Sequence, residues 1–183
     1  MLYGFSVHAI NVATGRSHSN NVPDGNDPLF WWDASNNQPT QILINAVADI
    51  QTELAPSQDL DGLIWAQGES DAVSIYYSSA GITETIRSEF AAATVNIFQY
   101  LRNAFCADLP IYVQQLNDFD IPNGATFPQR GEQDIIIADQ RDTHLGAVTL
   151  GATQRDPSHF DTVAQNNIAE QLADKVVEID SAP

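Results

Sequence analysis

Gly62-Leu63-Ile64-Trp65-Ala66-Gln67-Gly68-Glu69-Ser70-Asp71-Ala72 begins as an apolar run and then presents Gln67, Glu69 and Asp71 around a single glycine. A strand that stops abruptly at an amide and carboxylates beside a glycine turn is how open α/β sheets carry chemistry, because the strand's body is buried while its carboxyl end is open. The stretch therefore predicts a parallel sheet with reactive groups along its carboxyl edge. An enzyme is the leading reading.

Outward from that strand, apolar runs alternate with helical spacing. Phe5 to Ala13 reads as a first strand, Asn20 to Pro39, with its Asn, Asp, Pro and Gly, as a long loop, and Thr40 to Leu54 as a helix. Past the second strand, Gly62 to Ala66, a long helix over Thr83 to Ala107 carries Ile86, Phe90, Val95, Phe98 and Leu101 at core spacing. A third strand over Pro110 to Leu116 follows, then a helix over Arg130 to Asp139, a fourth strand over Ala147 to Leu150 and a last helix from Phe160 to Val177. Near-continuous apolar strands such as Ile111-Tyr112-Val113, separated by helices, imply parallel strands covered on both faces. The expected fold is a three-layer α/β/α sandwich with a mostly parallel, flavodoxin-like sheet. No repeat, low-complexity tract or linker divides the 183 residues, so one domain is expected.

The charge balance narrows the partners. Twenty-four acidic residues stand against seven basic ones, for a formal charge of -17, and Lys175 is the only lysine. A polyanionic nucleic acid or an anionic membrane would be repelled, whereas a soluble life in a marine, saline or extracellular setting suits such a surface. No stretch reaches the roughly 18 apolar residues that span a bilayer, and the N-terminus lacks the basic start of a signal peptide. The lone Cys106 excludes an intrachain disulfide and a cysteine-built zinc site. His8, His18 and His144 have no partner spacing for a metal, so neither a metal nor another cofactor is expected.

Two further segments follow strands with polar groups, Thr14-Gly15-Arg16-Ser17 and Asp156-Pro157-Ser158-His159. Asp156 and His159 stand at a spacing that lets a carboxylate hold the imidazole Nδ1–H and leave Nε2 as a general base for a hydroxyl nucleophile. A plainer reading gives Glu69, Asp71 and Asp156 to helix N-termini, where carboxylates satisfy free N–H groups. Trp31 and Trp32 either cap the core or form a platform on which a sugar stacks.

The string Trp65-Ala66-Gln67-Gly68-Glu69-Ser70-Asp71-Ala72 resembles the Trp-His-Gln-Gly-Glu-Ser-Asp-Ala signature of the carbohydrate-esterase branch of the SGNH-hydrolase superfamily, departing mainly at Ala66. That branch contains sialate O-acetylesterases and acetyl xylan esterases. Val12-Ala13-Thr14-Gly15-Arg16-Ser17, with Trp31-Trp32 beyond it, is similar to the branch's Gly-Gly-Ser/Thr block, with Arg16 in place of the second glycine. Asp156-Pro157-Ser158-His159-Phe160 is similar to its C-terminal Asp-x-x-His block, and Asp108-Leu109-Pro110 before a strand fits as well. The resemblance implies that His159 is the general base, helped by Asp156, by Glu69 or by both. It implies an oxyanion hole made by the Gly15 backbone N–H and the Gln67 side-chain amide, and an acetylated glycan as the partner.

The branch's first block, a strand leading into Gly-Gln-Ser-Asn or Gly-Asp-Ser, supplies the nucleophilic serine, and it is not found. Phe5 to Ala13 corresponds to the branch's second strand, so the first is expected to be missing from this chain. The serine is then encoded upstream of Met1, supplied by another chain, or lost together with catalysis. Within the chain, Ser17 and Ser19 are the candidates, since Ser19-Asn20 echoes the branch's Ser-Asn. Two functions follow: an O-acetylesterase working by a serine mechanism, or an inactive glycan-binding or structural module, for example of a virus particle. A sheet without its first strand leaves an open edge, so a homo-oligomer or association with another chain is expected.

Overall fold

The computed structural model describes residues 18–20, 29–54, 59–72, 80–117, 128–156 and 159–180. The first strand expected over Phe5 to Ala13 lies outside them. In chain order the elements are β1 (His18–Asn20), β2 (Phe30–Asp33), β3 (Gln38–Pro39), α1 (Gln41–Glu53), β4 (Leu63–Trp65), α2 (Ala80–Ala104), β5 (Ile111–Gln114), α3 (Pro128–Asp139), β6 (Thr143–Ala147), β7 (Gln154–Asp156), β8 (His159–Phe160) and α4 (Thr162–Asp180).

The apolar run that ends at Gln67 forms β4, which pairs in parallel with β5, and β5 pairs in parallel with β6. Helical crossovers are what parallel neighbours require, and α2 and α3 supply them. Ile111 and Val113 of β5, with Trp65 of β4, pack with Phe90, Phe98 and Leu101 of α2 and Ile136 of α3. Tyr112 takes the opposite face, where α4 arrives. A Cβ on Gly146 would lie 2.7 Å from Leu172 Cδ2 and 3.0 Å from Tyr112 Cβ, so a side chain here would crowd both α4 and β5. Helices thus cover both faces of a parallel sheet, as the continuous apolar strands predict. The cover is uneven, since Ile64, opposite Tyr112 in register, is 54% exposed.

At the amino end of the sheet, buried Arg102 closes the last turn of α2 onto both crossovers. Its Nε donates to the Leu109 carbonyl at 3.3 Å, and its Nη2 donates to the Asp142 carbonyl and to Thr143 Oγ1, each at 3.0 Å.

Two expectations are corrected. The segment read as one long loop holds strands: β2 lies parallel to β1 and antiparallel to β3. Its cluster of small polar residues is the hairpin turn, where Asn36 donates from its backbone N to Asp33 Oδ1 at 3.2 Å and from Nδ2 to Asp33 Oδ2 at 2.7 Å, and Asn37 takes φ 50°. The aromatic residues before the turn decide the outcome, because they are buried. Trp31 meets Trp65 edge-on at 5.5 Å and Trp65 meets Phe98 at 5.7 Å. At 5% and 7% exposure, Trp31 and Trp32 are core and present no stacking platform. The fourth strand is Thr143–Ala147, not Ala147 to Leu150. Val148 and Leu150 are exposed beyond the sheet, and the Gln171 amide holds Val148 there by accepting from its N–H at 2.9 Å and donating to its carbonyl at 3.3 Å.

Candidate active site

The carboxyl ends of β4, β5 and β6 form one edge, and a short polar turn follows each strand. After β4 the chain reverses at Gly68, whose φ of 127° suits glycine alone. Ala72 N donates to the Gly68 carbonyl at 2.9 Å, so a helical segment opens at Glu69, with Gly68 as its cap. Inside this turn Gln67 Nε2 donates to Asp71 Oδ2 at 2.7 Å, with the two side chains 7% and 2% exposed. Glu69 is half-buried, and burial pushes its carboxyl above the ordinary 4.5, against a smaller opposing effect of its own backbone N–H. The turn seats against the end of β5: a Cβ at Gly68 would stand 3.1 Å from both Leu116 Cδ1 and Phe90 Cε2.

Past β5, Gln115, Leu116 and Asn117 are buried. Gln133 of α3 holds this turn, accepting from Leu116 N at 2.9 Å and donating to the Gln114 carbonyl at 3.3 Å. Past β6, Thr149 Oγ1 donates to the Gln115 carbonyl, and Asn117 Nδ2 donates to the Ala152 carbonyl at 3.4 Å. Asn117 Oδ1 is buried without a hydrogen-bond partner among the described residues. These bonds anchor the 148–153 loop to the carboxyl edge, and the loop leads directly into β7.

Asp156 and His159 stand on that β7–β8 hairpin, where they are cross-strand partners. The segment read as a loop opening the last helix is therefore a two-stranded ribbon, and the residue that caps α4 is Asp161. Ala164 N donates to Asp161 Oδ1 at 2.8 Å, and this bond together with one from the Thr153 hydroxyl holds the Asp161 carboxyl below the ordinary carboxylate range. His159 is exposed.

The carbohydrate esterase, sialic acid-specific acetylesterase family model matches residues 25–178. The chain belongs to that family. The X-ray structure of an Arabidopsis thaliana protein is similar in fold, with a TM-score of 0.56 and 16% sequence identity over 76% of this chain and 53% of that chain. This member of the acetylesterase family thus spans about half the length of that plant protein.

Of the residues expected to form the site, Gln67 and Glu69 lie in one turn after β4, and Asp156 and His159 lie together on the hairpin rooted at the same edge. Gly15 and Ser17 lie outside the described residues, and Ser19 is placed in β1. Sequence reasoning missed the bond from Gln67 to Asp71 and the polar shell of Asn117, Gln133 and Thr149. A signal for part of that shell was present, since Gln114-Gln115-Leu116-Asn117 follows an apolar run as Gln67-Gly68-Glu69 does. Among the described residues no helix is long and apolar enough to cross a membrane.

Proposed function

We propose that this chain is the working part of a carbohydrate O-acetylesterase, a serine hydrolase that removes acetyl groups from a glycan. The observation that carries the reading is the Gln67-Gly68-Glu69-Ser70-Asp71 turn at the carboxyl edge of a parallel sheet. There a glycine-only backbone holds an amide and a half-buried carboxylate in fixed relation. Family membership supports the substrate class.

In the reaction, a serine hydroxyl attacks the acetyl carbonyl while His159 takes its proton. The charge that develops on the carbonyl oxygen is met by the Gly15 backbone N–H and the Gln67 amide, each donor lowering the barrier by about 3 kcal/mol. Collapse of the tetrahedral intermediate expels the sugar oxygen, which His159 protonates. Water then repeats the sequence on the acyl-serine and releases acetate. Glu69 and Asp156 are the acids that support His159, and Ser17 and Ser19 are the nucleophile candidates within the chain.

Hydrolysis of a chromogenic acetyl ester by the protein and by His159→Ala, Ser17→Ala and Ser19→Ala tests this. The expected result is turnover that falls at least about a thousandfold in His159→Ala and in one of the two serine variants. Turnover that survives His159→Ala refutes the mechanism. A wild-type protein without turnover that still binds acetylated glycan supports the inactive binding module instead.

A further inference from the structure

We propose that Asp71 is a positioning residue that fixes the Gln67 amide as an oxyanion donor, an inference that rests on the role given to Gln67 above. A glutamine side chain has three torsions and an amide whose two ends differ only in whether they donate or accept. Burial alone does not choose between those ends. Asp71 Oδ2 accepts from Gln67 Nε2 at 2.7 Å, which selects the nitrogen end of the amide. Because the amide is planar, one hydrogen committed to Asp71 fixes the direction of the second.

Local structure explains why the aspartate sits there. Gly68 caps the helical segment, so Asp71 is its third residue, four positions after Gln67, and the turn at φ 127° folds Gln67 back over it. The bond is short, and it polarises the amide as a donor. Both side chains are almost fully buried, so water competes poorly for either partner.

The test is a double-mutant cycle in initial-rate kinetics on a chromogenic acetyl ester, using the protein, Gln67→Ala, Asp71→Asn and the pair combined. Gln67→Ala is expected to lower kcat by about a hundred- to a thousandfold. Asp71→Asn keeps the shape but offers both a donor and an acceptor, so Gln67 can flip. It should lower kcat by about tenfold or more at unchanged KM. In the Gln67→Ala background, Asp71→Asn should change kcat by less than about twofold, because a residue that acts through Gln67 has nothing left to act on. A merely structural aspartate would give losses that multiply, and that result overturns the inference while leaving the role of Gln67 standing. Gln67→Ala at full rate, or a wild-type protein without turnover, overturns the role of Gln67 and this inference with it. If Asp71→Asn does not fold, Asp71→Ser, whose shorter side chain likewise offers both a donor and an acceptor, is put through the same cycle against the same expectations.

Discussion

Replacing Gly68 with alanine tests whether the turn after β4 is as tightly specified as its geometry implies. The φ of 127° lies beyond the left-handed region that other residues visit, so alanine there carries a backbone cost of about 1 to 3 kcal/mol. The new methyl would also stand 3.1 Å from Leu116 Cδ1, 3.1 Å from Phe90 Cε2 and 3.3 Å from Phe90 Cζ. Both neighbours are among the most buried residues of the chain, so neither retreats without disturbing the core. Crowding a packed core by one methyl adds about 1 to 3 kcal/mol. The expected loss is therefore about 2 to 6 kcal/mol, read as a lower urea midpoint at unchanged slope and as a drop in Tm of roughly 2 to 4 °C per kcal/mol for a chain of this size. Gly151 separates the two contributions. It has φ 75° but no atom within 4 Å of the point a Cβ would occupy, so Gly151→Ala should show a backbone cost of about 1 kcal/mol and no crowding. A Gly68→Ala protein within about 0.5 kcal/mol of wild type, or one no worse than Gly151→Ala, would refute the reasoning.

Three further outcomes follow from the same geometry. Burial raises the Glu69 carboxyl above its ordinary 4.5, so the folded chain keeps a proton there at pH values where the unfolded chain has released it. Folding thus loses stability as pH rises through that window; Glu69→Gln should melt higher than wild type at pH 7, converge with it below about pH 4, and lose turnover, whereas a pH-independent difference in Tm would contradict the assignment. Arg102→Leu leaves the Leu109 and Asp142 carbonyls and Thr143 Oγ1 without their donor. Chemical denaturation should show a loss of about 3 kcal/mol with kcat within twofold of wild type, since Arg102 lies at the amino end of the sheet. Asp161→Ala removes the cap of α4 and should cost about 1 kcal/mol in the same assay.

The elements best legible in the sequence were those whose own residues set their type. Leu63 to Trp65 and Ile111 to Val113 are apolar throughout and became β4 and β5. The helix expected over Thr40 to Leu54 is α1, and the long helix differs from its expected span by three residues at each end. Where a strand's place depends on its neighbours, the reading drifted. β6 contains Thr143, His144 and Gly146 and is buried only because β5 and α4 enclose it, while the more apolar Val148 and Leu150 stay outside. β2 was hidden because Asn and Asp dominate its surroundings, and those residues turned out to build the hairpin that follows it. In the site, Gln67 and Glu69 were readable as groups at a strand end. Their relation to Asp71 was not, because an amide meets a carboxylate four residues on only when the intervening glycine takes a φ that spacing does not reveal.

The two ends of the sheet bury different polar groups, and the difference bears on function. At the amino end, the charge of Arg102 is spread over three acceptors from β6 and the loops that enter β5 and β6, which is how a fold accommodates a buried ion for structure. At the carboxyl end, Glu69 is desolvated enough to hold its proton more tightly, and Asn117 Oδ1 is buried without a partner among the described residues. A chain selected for stability alone would relieve both, and apolar replacements of similar size would do so. Their retention beside a glycine-only turn, on the edge where an α/β sheet is open, is the pattern expected where local stability is given up for chemistry. On these grounds we propose the carboxyl edge of β4 and β5 as the place where a glycan meets the protein.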